Sequence, residues 1–286
     1  SGFFPHQLDA YTKYRLTPMI HTLSHLKSLV GKKNLPDIHL EIDTGMHRLG
    51  VLEKQMEEAV RVLERLPVKL SGAATHFAEG EDLDSGFSAE QEAAFERTLG
   101  TLREHRLLHT DARIHAANSG GILRGLAPYA NAIRPGLSLF GISPNERLPQ
   151  SKALLPVLEW KTRVLSIKEV HKGETVGYNR TYRATRKERI AILPVGYADG
   201  YPRCVSNKSY ALIGSKRCAV RGIVSMDLMA VDVTGHPTAK EGQVATLIGS
   251  QGRVGLSATQ LARYADTIPY EILCGLSDRV PRVYFD

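Results

Sequence analysis

The chain has 286 residues, and its shortages each remove a class of protein. It has three cysteines, Cys204, Cys218 and Cys274, at spacings that suit no metal site. A disulfide scaffold is excluded, no metal centre is expected, and reduced thiols in a cytoplasmic protein are. No run of 18 apolar residues exists, so no membrane span is expected. The opening SGFFPHQLDA lacks the basic segment and apolar stretch of a secretion signal. It starts with Ser rather than Met, as a processed or cut end would. Internal repeats and low-complexity linkers are missing too. The net charge is only +7, and its cations are scattered. The densest basic run, residues 180–189, reads as a solvated loop, so no nucleic-acid partner is expected. A hydrophobic content of 42% and a charged content of 23% are those of a soluble globular protein with one large core or two modest ones.

The first half alternates apolar runs with helical patterns. Strands are expected over residues 18–22, 38–43, 70–76, 113–117 and 132–139. Met56, Ala59, Val60 and Leu63 fall at helical spacing, and Pro67 ends that helix. Ser88 and Gln91 have the spacing of a capping box opening the next one. Such alternation implies a parallel sheet. The acidic loop 79–84 reads as solvated. From residue 154 onward short strands dominate: 159–167, 190–194, 210–213, 218–224, 228–233, 243–248 and 279–284, with one helix near 257–265. An α/β part over 1–145 and a mainly β part over 146–286 follow. The five strands of the first part are too few for a closed (β/α)8 barrel.

Within HLEIDTGMHRLG, residues 39–50, strand alternation puts His39, Glu41 and Asp43 on one face. Acids facing an interior need a partner, and Arg48 is the nearest cation in the sequence. Unusual polar residues recur at strand ends: Asp43, His76, Asn118–Ser119 and Arg134. In a parallel barrel that end carries the active site. Singly, His76 reads as a structural histidine, Asn118-Ser119-Gly120-Gly121 as a helix cap, and Arg134 as a surface arginine; together they read as a site. Ser119 with its glycines and the backbone of Gly136 and Leu137 suit a phosphate. In the β part, Tyr178 and Tyr197 stand beside glycines, and Ser225-Met226-Asp227 is a short polar motif.

As a set, DTGMHRLG, HFA, HAANS, IRPGLSLFGISP, VGYNRTY, VGYADGYPR, VSMDLMAVDV and DRVPRVY resemble the alanine racemases, fold-type III enzymes that use pyridoxal 5′-phosphate (PLP). The resemblance spans essentially the whole chain. It implies a (β/α)8 barrel followed by a mainly-β C-terminal domain, and a cytoplasmic head-to-tail homodimer with shared sites. The implied activity interconverts L- and D-alanine, supplying D-alanine for peptidoglycan of the cell wall. By resemblance, Arg134 faces the pyridine nitrogen of PLP. His76 and His115 join Arg134 in orienting a catalytic tyrosine, Tyr178, supplied by the partner subunit. Ser119, Asn118, Gly136 and Leu137 hold the phosphate. Arg48 and Met226 bind the substrate carboxylate, with Tyr197 and Asp227 at the entrance. Glu41 stands where many relatives carry a carbamylated lysine, and is expected to pin Arg48.

Three departures from the family stand out. Ile223 replaces an arginine and Asp278 a tyrosine, which leaves a serine or broader amino-acid racemase as an alternative. The Schiff-base lysine of the first barrel strand has no counterpart, so a preceding segment of the same protein is expected as a partner of this chain. Without it the chain is expected to be inactive, and a non-catalytic binding protein of the same fold is the alternative. A decarboxylase of this fold would carry a triple-glycine loop, which is not seen.

Overall fold

A computed structural model describes residues 2–285. The chain divides into two compact units between Leu154 and Leu155. In the first, helix α1 (Leu8–Lys13) precedes strand β1 (Met19–Ile20), and α2 (Leu23–Leu29) leads to β2 (Ile38–Asp43). Then come β3 (Val51–Leu52), α3 (Met56–Leu63), β4 (Leu70–Ala74), α4 (Phe87–Glu104), β5 (Leu108–His115) and α5 (Ser119–Arg124). The sheet runs β1-β2-β4-β5 with every pairing parallel, as in an arc of a (β/α)8 barrel. Alternation decides what each face does. Ile20, Leu40, Ile42, Ala73 and Ile114 are buried among residues of α2, α3 and α4. His39 and Glu41 point the other way, level with Gly72, Ala74 and His115 of the neighbouring strands.

Several expectations are corrected here. Residues 132–139 form no strand; Ala132 makes a single bridge to His115, and Leu137–Phe140 is a 3-10 turn. Pro135 has no N–H to give a ladder. Helix α4 starts at Phe87 with Gly86 at its N-cap, so Ser88 and Gln91 are not a capping box. They are buried within the helix and bond outward instead, Ser88 Oγ donating to the Glu79 carbonyl. The acidic loop is anchored rather than merely solvated: Arg124 donates to the Asp82 carbonyl, and Arg147 grips the Asp84 carboxylate with both Nη atoms.

The second unit is built of antiparallel strands. They are β6 (Trp160–Arg163), β7 (Ser166–Val170), β8 (Thr175–Val176), β9 (Tyr182–Arg183), β10 (Glu188–Leu193), β11 (Tyr210–Ile213), β12 (Lys216–Ala219), β13 (Met229–Asp232), β14 (Val244–Gln251) and β15 (Val254–Leu256). They make the sheets β13-β10-β7 and β12-β11-β14-β15, the latter joined by β6, plus the hairpin β8-β9. Helix α6 (Ala258–Ala265) has a true capping box from Ser257 and Gln260, and α7 (Pro269–Gly275) follows. The expected strand 159–167 is split between β6 and β7. Residues 279–284 form no strand among the described residues; Arg282 instead donates to the carbonyls of Leu276 and Ser277. In the basic run, Arg189 is structural, donating to the carbonyls of His236, Pro237 and Ala239. Cys218 is buried, Cys204 and Cys274 are exposed, and all three are free thiols.

Candidate active site

In the first unit the site is built around Arg134, which follows the bridge at Ala132. Its Nη1 donates to the His115 carbonyl (3.0 Å) and, closely, to His115 Nδ1. Its Nη2 donates to the carbonyls of Thr75 (2.6 Å) and Ala116 (3.3 Å) and to His76 Nδ1 (3.1 Å). Both Nη atoms are thus committed, while Nε–H has no partner among the described residues. A guanidinium only donates, so the Nδ1 atoms of His115 and His76 must accept, which fixes both as neutral imidazoles with the proton on Nε2. His115 Nε2 then donates to His39 Nδ1 at 3.0 Å. That contact requires Gly72: a Cβ there would lie 2.5 Å from the His39 ring. Burial, the charge of Arg134 and His39 together lower the His115 pKa to about 4. Burial, then Arg134 and Arg48, lower that of His76.

Asn118 caps α5, its Oδ1 accepting from Gly121 N, and its Nδ2 donates to the Phe77 carbonyl while lying 3.4 Å from His76 Nε2. Ser119 is buried, and its Oγ accepts from Gly136 N (2.9 Å), Ser138 N (3.2 Å) and Ser138 Oγ (3.2 Å). Leu137 N has no partner among the described residues. The N–H groups of Gly136 and Ser138 and the Ser138 hydroxyl thus converge on Ser119 Oγ, which leaves the Leu137 N–H and the Ser119 hydroxyl proton as the uncommitted donors there, groups of the kind a phosphate takes. The expected Glu41–Arg48 ion pair is not formed. Both residues line one crevice with His76, but Glu41 Oε2 accepts from buried His21 Nδ1 at 2.6 Å. Arg48 is exposed on a turn closed by Asp43, whose Oδ1 accepts from Gly45 N and His47 N. Burial raises the Glu41 pKa, but the His21 hydrogen bond and the charge of Arg134 outweigh it, so the carboxyl sits below its ordinary value.

Sequence reasoning missed Gln91. Fully buried on α4, it donates from Nε2 to Thr44 Oγ1 (3.2 Å) and the His76 carbonyl (2.9 Å), and accepts at Oε1 from Ala78 N (2.9 Å). It thereby holds the turn bearing His76. Its one signal was a glutamine on the apolar face of α4, two turns of helix before Leu99.

The second unit gathers the remaining residues on adjoining loops. Tyr178 is 69% exposed, on a turn where Gly177, Asn179 and Arg180 all have positive φ (73°, 54° and 49°). Asn207 ties that turn to its neighbour, accepting from Gly222 N and donating to Thr181 Oγ1. Tyr197 N donates to the Ser225 carbonyl and Ala198 N to that of Met226, so Tyr197 and Met226 share one ledge. The approach is tight: a Cβ on Gly196 would lie 2.2 Å from Ser225 O. Met226 is half exposed, and its N–H makes no hydrogen bond among the described residues. Asp227 is held by Arg279 at 2.7 Å. Asp278 is exposed, and Ile223 is half-buried.

Residues 1–144 match the family model "Alanine racemase, N-terminal domain", and residues 157–284 match "Alanine racemase, C-terminal domain". The chain belongs to the alanine racemase family. The alanine racemase of Halothermothrix orenii is 40% identical over 286 residues, spanning 98% of this chain and 75% of that protein. That of Symbiobacterium thermophilum is 40% identical over 248 residues, 86% of this chain and 65% of its own length. Among solved structures, the Bacillus anthracis alanine racemase with bound L-Ala-P superposes with a TM-score of 0.88 at 32% identity, covering 100% of this chain and 74% of that one. The Bartonella henselae alanine racemase with covalently bound pyridoxal phosphate gives 0.87 at 29%, covering 99% and 77%. The fold is accordingly the racemase barrel with a C-terminal β domain, and the activity is that of an isomerase interconverting L- and D-alanine. No helix among the described residues is long and apolar enough to cross a membrane.

Proposed function

We propose that this chain supplies an alanine racemase site except for its Schiff-base lysine, which has no counterpart in this sequence: PLP is held in the first unit and Tyr178 is an acid/base, in a homodimer where Tyr178, Tyr197, Met226 and Asp227 serve the partner's site. When bound, PLP supplies the electron sink that acidifies the substrate Cα–H. The observation that carries this reading is the Nε–H of Arg134. Its other four N–H groups are consumed on a rigid frame, so this one is left to face a ring nitrogen. A fixed cationic donor there disfavours a proton on that nitrogen, which restrains the chemistry to proton exchange at Cα. Ser119, Gly136 and Leu137 hold the phosphate, with Asn118 shaping the helix start beside them.

The neutral imidazoles of His76 and His115 carry the orientation of Arg134 inward without adding charge. Tyr178 takes up or delivers the Cα proton at its phenolic oxygen on one face of Cα; inversion needs a second acid/base on the opposite face, the part the family gives to the Schiff-base lysine that this sequence lacks. Arg48 and the Met226 N–H receive the substrate carboxylate. The uncharged side chain of Ile223 leaves the entrance less cationic and admits serine beside alanine as a substrate. The product feeds peptidoglycan synthesis in the cytoplasm.

Two substitutions test the assignment. Tyr178→Phe should lower kcat about 10²–10⁴-fold while PLP affinity, read by equilibrium ultrafiltration, stays within twofold. Arg134→Gln should weaken PLP binding. Unchanged racemisation in Tyr178→Phe, followed by circular dichroism of L- and D-alanine, would refute the role of the phenol.

A further inference from the structure

The partner that Glu41 takes in place of Arg48 assigns work to a residue outside the family motifs. His21 lies just past β1 and is 3% exposed. Because a carboxylate only accepts, the 2.6 Å contact makes His21 Nδ1 the donor to Glu41 Oε2. Its Nε2 is buried without a partner among the described residues. Among the described residues neither Glu41 Oε1 nor the Arg48 guanidinium has a hydrogen-bond partner, although Glu41 and Arg48 line the same crevice. The main chain of His21 takes part as well: its carbonyl accepts from Gly50 N at 3.1 Å, at the end of the turn that carries Arg48. That closure is specific, since Gly50 has φ +120° and a Cβ there would lie 2.5 Å from Asp43 N.

We propose that His21 is a positioning residue for the substrate-carboxylate end of the site. Its imidazole pins one oxygen of Glu41 so that the other is presented to Arg48, and its carbonyl anchors the Arg48 turn. The proposal rests on the reading of Arg48 as a carboxylate-binding residue. A buried carboxylate held by one fixed donor cannot rotate freely, so its second oxygen has one direction to offer. Other charged or titratable groups around the pair are His25 on α2, His76 and Arg134 across the sheet, and Arg48 itself.

The test compares His21→Asn, whose side-chain amide places a donor where Nδ1 stood, with His21→Leu, which has none. Two readouts are used: the Glu41 carboxyl titration by carbon-13 NMR of the chain itself, and KM and kcat for alanine. In His21→Leu the Glu41 midpoint should rise, and KM should rise about tenfold, the loss of one charge-assisted hydrogen bond, with kcat within about twofold. His21→Asn should restore both. If His21→Leu does not fold, Glu41→Gln replaces it for the KM readout, with the same rise expected. A Glu41 titration indifferent to His21→Leu, a loss confined to kcat, or His21→Asn as impaired as His21→Leu overturns the proposal. Arg48→Ala separates the two readings. If it raises KM while His21→Leu does not, His21 loses its role and Arg48 keeps its own; if Arg48→Ala leaves KM unchanged, both fall.

Discussion

Replacing Gln91 by leucine should loosen the turn that carries His76. The side chains are close in volume, so the helix face stays filled and the effect isolates three hydrogen bonds. Thr44 Oγ1 keeps its 2.7 Å contact with Thr75, so two main-chain groups are left without a partner, the His76 carbonyl and the Ala78 N–H. An unmet buried group costs about 1–3 kcal/mol. Ala78 is exposed, so water reaches its N–H and the upper end of that range does not apply to it. The expected loss is about 2–3 kcal/mol for the first unit, or roughly 1 M in the urea midpoint. Far-UV circular dichroism measures it, and faster amide exchange at Ala78 localises it. Gln91→Glu is the companion: it still accepts from Ala78 N but cannot donate to the His76 carbonyl, so it should lie between. A midpoint shift under about 0.3 M in Gln91→Leu, or an unaltered Ala78 exchange rate, would refute the view that Gln91 holds this turn.

Two further outcomes follow from groups already described. His115 has a folded pKa of about 4 against an ordinary 6.5, so between those values the unfolded chain binds the extra proton. Its contribution to stability is complete above about pH 6.5 and is lost as pH falls toward 4; urea unfolding of His115→Gln should therefore weaken less on acidification than that of the unmodified chain. Gly196→Ala sets a methyl group 2.2 Å from Ser225 O and 2.3 Å from Met226 O, so the ledge must open. Alanine KM should rise severalfold, and the amides of Tyr197 and Ala198 should lose protection in hydrogen exchange.

What could be read from the sequence was what depends on neighbours in the chain. The alternation of β2, the helical spacing of Met56, Ala59, Val60 and Leu63, and the helix near 257–265 are all local, and each is found in the structure. The errors come where a local pattern competes with a distant partner. Ser88 and Gln91 have capping spacing, yet a helix start two residues earlier, with Gly86 rather than Ser88 at the N-cap, turns both into ties between helix and loop. The sequence pairs Glu41 with the nearest cation along the chain; its partner sits twenty residues back, just past the adjacent strand of the parallel sheet. The two-residue strands of the β8-β9 hairpin are too short to show a period at all. His76, Asn118, Ser119 and Arg134 were legible as a group because chain segments leaving one parallel sheet open on the same side; His115 came only with the resemblance, and Arg134 follows a single bridge rather than a strand.

The turn at Tyr178 has a consequence for substitution at that position. Its course is dictated by three left-handed residues and by Asn207, none of which needs the aromatic ring. With the ring mostly in solvent, exchanging it leaves no hole to collapse and no core contact to replace. Within the protomer the scaffold therefore stays intact when this ring is changed, so a substitution at Tyr178 reports on the group it offers rather than on the stability of the unit that carries it.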